Sequence, residues 1–173
     1  LQKQSKTKKA LHLLTIFVPF CTNSFLSFAY SKKAEYPVLK FMYQQPYLIQ
    51  FPRIGNTMIG YISVAENDNL PFNVERIYWT YYTPESINRG GHAHYELEQI
   101  LVAVSGKIIV HTEMPGGQKE RFILETPNIG IFLPKYCWHE MHYSHNSVQM
   151  CIANSVYNES DYIRDYNELK KIS

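Results

Sequence analysis

From residue 42 onward, short runs of apolar and β-branched residues alternate with polar positions, and turn-forming residues separate the runs. Alternation with period two marks a strand that buries one face. It predicts strands at 47–51, 58–64, 74–82, 99–104, 107–112, 121–124, 129–133 and 147–153. The separators suit turns: Asn67-Asp68-Asn69, Ser105-Gly106, Met114-Pro115-Gly116-Gly117 and Thr126-Pro127-Asn128. Strands at this spacing predict an all-β sandwich or barrel, with jelly-roll topology as the natural closure. Only the end differs. Asn158 or Ser160 is placed to cap a helix over 161–171, with acids early and lysines late to suit the dipole.

Residues 1–41 lack this pattern. Lysines at 3, 6, 8 and 9 precede an apolar run over 10–20 that His12 and Pro19 interrupt. A basic start and an apolar centre are the order of a secretory leader, and the run is too short to span a membrane. The chain opens on Leu1, and Met42 stands just before the first patterned strand. Residues 1–41 are therefore expected to be translated upstream sequence in preference to a leader, with 42–173 the working domain.

Composition narrows the function. A length of 173 residues gives one domain and a tail, with enough chain for a sizeable core. A net charge of +2 gives no basis for a nucleic-acid partner, and no stretch calls for a membrane. Fourteen tyrosines and nine phenylalanines favour strands and concave ligand sites. Cys21, Cys137 and Cys151 make neither a CxxC pair nor a disulfide framework, which fits a reducing compartment, the cytoplasm.

The chemistry concentrates in Arg89-Gly90-Gly91-His92-Ala93-His94-Tyr95-Glu96-Leu97-Glu98-Gln99. On an extended backbone, His92 and His94 point the same way. A second stretch, residues 130–142, brings His139 and His142. Two chemistries fit. Three imidazoles and a carboxylate, His92, His94, His139 and Glu98, are the right types for a divalent transition metal. Their spacing is close to the ligand pattern of the cupin barrels, although Tyr136 stands where that pattern has glycine. Alternatively, imidazole titrates near neutral pH and can take a proton from carbon beside a carbonyl, with Glu98 orienting a ring. His111, His142 and His145 read as ordinary, partly exposed histidines.

Longer motifs favour the second chemistry. Leu70-Pro-Phe-Asn-Val-Glu-Arg-Ile-Tyr-Trp, the histidine segment, Leu133-Pro-Lys-Tyr-Cys-Trp-His-Glu-Met and Ser155-Val-Tyr-Asn-Glu-Ser-Asp-Tyr-Ile-Arg-Asp-Tyr occur in this order. Together they resemble the nucleotide-sugar 3,4-ketoisomerases of the cupin superfamily, over about residues 46–171. The resemblance implies a double-stranded β-helix barrel with a short C-terminal helix. It implies an enzyme that moves the carbonyl of a dTDP-4-keto-6-deoxyhexose from C4 to C3 through an enediol, without metal or organic cofactor. Such a step makes a precursor of an amino- or deoxy-sugar for surface polysaccharide, with an aminotransferase next in line. His92 falls at the family's base, His94 at its supporting histidine, and Tyr78 at the tyrosine that exchanges a proton with the sugar oxygens. Arg76 and Arg89 are the candidates for the diphosphate, because adjacent phosphates need several or fork-shaped donors. His139 and Glu98 complete the expected substrate site.

One departure stands out. Met58 occupies a position where relatives carry arginine or tyrosine and which bears on the configuration at C4, while His139 matches the galacto-type members. The resemblance also implies a homodimer exchanging N-terminal strands, residues 47–64, which would cover open sheet edges. A metal-dependent cupin enzyme and a non-catalytic sugar-nucleotide-binding cupin are the alternatives.

Overall fold

Short strands with apolar inner faces must pair and then pack, and here they do so as two facing sheets. A computed structural model describes residues 43–172, and the expectation for residues 1–41 lies outside the described residues. The strands are β1 (Tyr47–Gln50), β2 (Arg53–Asn56), β3 (Gly60–Ser63), β4 (Arg76–Thr80), β5 (Arg89–His94) and β6 (Gln99–Ser105). They continue as β7 (Ile108–Glu113), β8 (Lys119–Leu124), β9 (Ile129–Leu133), β10 (Trp138–Tyr143), β11 (Val148–Ala153) and β12 (Tyr162–Ile163), before helix α1 (Tyr166–Lys171). One sheet has the order β1-β9-β6-β11-β4 and the other β12-β5-β10-β7-β8, while β2 and β3 form a separate hairpin. The all-β class and the short C-terminal helix are as the sequence predicts. Among the described residues no helix is long and apolar enough to cross a membrane.

The core lies between the sheets. Leu101, Ala103, Ile131, Leu133 and Cys151 from the first meet Ile108, Val110, Leu124, Met141 and Tyr143 from the second. Central strand β6 is apolar on both faces because both are covered. Leu101 and Ala103 point inward, whereas Ile100 and Val102 pack outside against Phe51, Leu70, Phe72 and Phe132. Edge strand β4 is covered on one face only. Arg76, Tyr78 and Thr80 are half-buried and Ile77 and Trp79 exposed.

Two segments depart from the sequence reading. The strand expected over 58–64 is half of the β2–β3 hairpin, whose turn is held by the Asn56 Oδ1 atom accepting from the Met58 amide at 2.9 Å and the Ile59 amide at 3.3 Å. The helix expected over 161–171 begins later. Asn158 caps only a 3-10 turn, Glu159–Asp161, and Tyr162 and Ile163 then pair with His94 and Ala93 of β5. That pairing fills the edge of β5, and Asp165 becomes the cap of the true helix. Tyr136, flagged as standing in a glycine's place, does adopt a left-handed backbone at φ 61°. Its ring packs against the Ala93, Ile163 and Leu169 cluster and within 5.6 Å of Tyr43, which offsets that strain.

Gly90 sets the pairing that carries the histidines. His139 lies opposite His92, Glu140 opposite Gly90, and a bulge falls between them. Gly90 has φ 87°, and a Cβ there would sit 2.4 Å from the His139 carbonyl oxygen. Gly91 also has a positive φ, 69°, but open space around it. Gly90→Ala should therefore cost about 2–4 kcal/mol, from backbone strain plus overpacking. Gly91→Ala should cost only the backbone strain, about 1–2 kcal/mol. Urea denaturation of both variants checks this, and equal losses would remove the close-approach explanation.

Candidate active site

Strand parity gathers the polar residues at one end of the space between the sheets. On β4, Arg76 and Tyr78 face inward together, as the sequence reading requires. On β5, His92 and His94 share a face, with rings 5.0 Å apart, and His139 of β10 comes within 4.7 Å of His92. A cavity of about 360 Å³ opens over them. It is lined by Arg76, Tyr78, Arg89, His92, Gln99, His139, Tyr157 and Tyr162, among others. A neighbouring opening shares Arg89, Gly90, His92 and Tyr162 and adds Arg164. His94 does not line the cavity. It stands directly behind His92, 4 % exposed, its ring 4.3 Å from that of Tyr162.

Each imidazole is held by a different partner. His94 Nδ1 lies 3.1 Å from Asp161 Oδ2, and Asp161 also accepts from the backbone amides of Glu96 and Leu97. Burial, aided by the neighbouring His92 and Arg76, takes the His94 pKa down to about 3. The ring is then neutral at pH 7, so its Nδ1–H donates to the carboxylate and leaves the Nε2 lone pair free. His139 is 2 % exposed and donates Nδ1–H to the Cys137 carbonyl at 3.0 Å. Burial pushes its pKa well below that of free histidine. His92 has its pKa lowered by burial as well, against the opposing effect of a backbone hydrogen bond at Gly90.

Gln99 links the opposite wall to this cluster. Its Oε1 accepts from the Tyr78 hydroxyl at 3.4 Å and from the Cys151 thiol at 3.2 Å, and its Nε2 lies 3.3 Å from His139 Nε2. With His139 protonated on Nδ1, the amide donates to it. Burial raises the Tyr78 pKa above that of free tyrosine, and the Cys151 thiol beside it adds to the effect. The phenol therefore stays protonated. Cys151 itself is pushed up to about 12 by burial, so it is an inert thiol at neutral pH.

The cationic residues differ in what holds them. Arg76 stacks over the rings of Tyr78 and Tyr157, at 5.1 and 5.9 Å, and its buried Nε has no hydrogen-bond partner. No salt bridge holds it among the described residues, and a half-buried cation so placed favours an anionic ligand. Arg89 is exposed at the mouth, with no carboxylate in salt-bridge range among the described residues. Arg164 is already engaged. It makes a two-pronged pair with Glu159, at 2.8 and 3.0 Å, and lies over Tyr162.

Of the residues singled out from sequence, the structure brings together Arg76, Tyr78, Arg89, His92, His94 and His139. It does not bring in Glu98. Gln99 faces the cavity, so its neighbour Glu98 faces away, where its backbone amide and carboxylate are both tied to Asn154. The ring-orienting carboxylate is Asp161, which sequence reasoning absorbed into a helix. The signal was the Tyr162-Ile163 pair, a strand-like dipeptide just after it. Gln99, Tyr157 and Tyr162 were also missed. Among the described residues, the group able to hold a metal is accordingly His92, His94 and His139, whose donor atoms all lie within 4.8 Å of one another.

The geometry is matched by kinship. The family described as "FdtA: WxcM-like, C-terminal" matches residues 44–173. A TDP-4-oxo-6-deoxy-alpha-D-glucose-3,4-oxoisomerase of Aneurinibacillus thermoaerophilus is 36% identical over 125 residues, which is 72% of this chain and 89% of the relative. A 3,4-ketoisomerase from Helicobacter canadensis is 35% identical, with a TM-score of 0.69 over 73% of this chain and 96% of the other. A mutant of the 3,4-ketoisomerase QdtA from Thermoanaerobacterium thermosaccharolyticum, solved with TDP-4-keto-6-deoxyglucose, is 26% identical. Its TM-score is 0.70, covering 73% of this chain and 92% of the other. With matching motifs and fold over residues 44–173, the chain belongs to the FdtA, WxcM-like C-terminal family of cupin-fold proteins.

Proposed function

We propose that this chain is a metal-independent isomerase that moves the keto group of a dTDP-4-keto-6-deoxyhexose from C4 to C3. The activity of the 36%-identical relative supports the reaction. The observation that carries it is chemical. A neutral imidazole, His92, and a protonated phenol, Tyr78, line one small cavity beside Arg76, whose buried Nε has no partner among the described residues.

The reaction follows from those states. The C4 carbonyl acidifies the proton on C3, and the free lone pair of His92 takes it. The bonding electrons form the C3–C4 double bond of an enediol, while the C4 oxygen gains a proton from Tyr78. On the other carbon, protonated His92 returns a proton to C4 while the C3 hydroxyl gives its proton to the Tyr78 phenolate, which leaves the carbonyl at C3 and both residues as they began. Tyr78 suits the donor role because its raised pKa keeps it protonated until an enediolate develops beside it. His94 is a positioning residue. Locked by Asp161, its ring stands edge-to-face with His92 and fixes the base's orientation. Arg76 and Arg89 bind the diphosphate, and His139 bounds the sugar pocket. The product is a precursor for amino- or deoxy-sugars of surface polysaccharide, made in the cytoplasm, where free thiols such as Cys137 and Cys151 persist.

The working unit is a homodimer. Strand β1 pairs with β9 of its own chain, so the segment available for exchange is the β2–β3 hairpin. Every residue of that hairpin's strands is exposed, and an isolated two-stranded hairpin is marginal in water. Ile54, Ile59 and Ile62 on it are exposed, as are Ile77 and Trp79 on open edge strand β4. A second copy of the hairpin laid on β4 covers both. Met58, 89 % exposed at the hairpin turn, then has a partner chain to touch.

NMR of dTDP-4-keto-6-deoxyglucose incubated with the protein in D2O tests the reaction. A 3-keto product carrying deuterium at C3 or C4 is expected, and its couplings give the C4 configuration. His92→Asn should lower kcat by about 10²–10⁴ and Tyr78→Phe by about 10². Asp161→Asn should lower kcat about tenfold with KM little changed, as loss of a positioning contact would. Full turnover in His92→Asn would sink the assignment of the base. For assembly, light scattering should give the mass of two chains. Trp79→Lys, exposed in one chain and so harmless to its fold, should give monomers, and a dimeric variant would exclude β4 as the interface.

A further inference from the structure

Gln99 is buried, both polar atoms of its amide are engaged, and its partners leave it one orientation. The Tyr78 hydroxyl at 3.4 Å and the Cys151 thiol at 3.2 Å meet the same amide atom, and burial keeps both protonated. Two donors need an acceptor, so that atom is Oε1. The amide nitrogen then donates to His139 Nε2 at 3.3 Å, which requires the His139 proton on Nδ1, where the Cys137 carbonyl accepts it at 3.0 Å. The bonds run in one direction, from phenol and thiol through amide and ring to backbone. The His139 lone pair is thereby occupied, and His92 keeps the one that serves as base.

This network suits Tyr78 with its proton and opposes it without one. Once the phenol has given its proton to the sugar, its oxygen is an anion beside Oε1, and two acceptors repel. Cys151 offers the relief. It stands directly opposite Tyr78 in the β4–β11 ladder, and its thiol reaches the phenol oxygen as well as the amide. Rotation about its Cβ–Sγ bond carries the S–H proton from Oε1 to the phenolate without moving either strand.

We propose that Gln99 and Cys151 are positioning residues for Tyr78: the amide holds the phenol while it carries its proton, and the thiol turns to the phenol oxygen when that proton has left. Neither residue bonds to the sugar, and the thiol keeps its own proton throughout. The contact between amide and thiol rests on the structure alone. Its effect on turnover rests on the isomerase reading.

The test is a double-mutant cycle on the full chain. Gln99→Leu should lower kcat about tenfold and Cys151→Ala about three- to fivefold, with KM little changed. In a Tyr78→Phe background each should cost less than about twofold, because the group they act on is gone. Equal losses in both backgrounds assign the two residues to the fold alone and overturn the proposal. Cys151→Ser restores a donor and should be at least about threefold faster than Cys151→Ala. Equal rates for those two variants overturn the part given to the thiol. The contact is also read without turnover. The infrared S–H stretch that disappears in Cys151→Ser should move to higher frequency in Gln99→Leu, as a thiol freed of its acceptor does, and an unmoved band overturns the amide–thiol contact. A shifted band in a chain with no turnover, or with full turnover in Tyr78→Phe, removes the functional reading and the role in turnover with it, and leaves the contact standing.

Discussion

The pairing of β5 with β10 is the constraint on which the site depends. Antiparallel neighbours place side chains of opposed residues on the same face, so His92 opposite His139 fixes two imidazoles in contact, and alternation along β5 adds the third. The register is narrow because Gly90 lets the β10 backbone approach where a side chain would strike the His139 carbonyl. A slip of one residue in β5 would turn His92 and His94 to the opposite face and bring Ala93 toward the cavity. Ala93 is instead buried beneath Ile163 and Leu169, so the C-terminal strand and helix lock the same register from behind.

Burial then decides what these rings are. Buried imidazoles among cationic neighbours lose their charged form, and the partners on Nδ1 of His94 and His139 dictate which nitrogen keeps the proton. The opposite wall responds in the opposite sense. Burial holds the Tyr78 phenol in its protonated, neutral state. The interior therefore contains neutral imidazoles facing a protonated phenol. Arg76 stands beside them with its buried Nε unpartnered, and a diphosphate is the kind of group proposed to complete it.

Much of this was legible from the sequence. Period-two patterning located most strands of the two large sheets, and the parity of residues 76 and 78, and of 92 and 94, put the right side chains on common faces. What failed was local competition that pattern does not encode. Residues 161–164 have the charge placement of a helix start, but Tyr162 and Ile163 gain more by closing the edge of β5, which brings Asp161 to His94. The β2 strand was missed because Arg53–Asn56 is exposed throughout and has no apolar face to alternate.

The choice between proton transfer and metal chemistry comes down to one step of parity. Sequence spacing offered Glu98 as the fourth member of a three-histidine, one-carboxylate set. Leu101 and Ala103 must face the core, and that fixes the inward positions of β6 as the odd-numbered ones. Gln99 therefore points at the histidines, and Glu98 turns to Asn154. A carboxylate at that place would bring a negative charge and a hard ligand to the free nitrogens. An amide brings a neutral donor that occupies His139 and an acceptor that holds the Tyr78 hydroxyl. The same backbone thus favours a proton-transfer site, because the residue that parity selects tethers the acid instead of binding an ion.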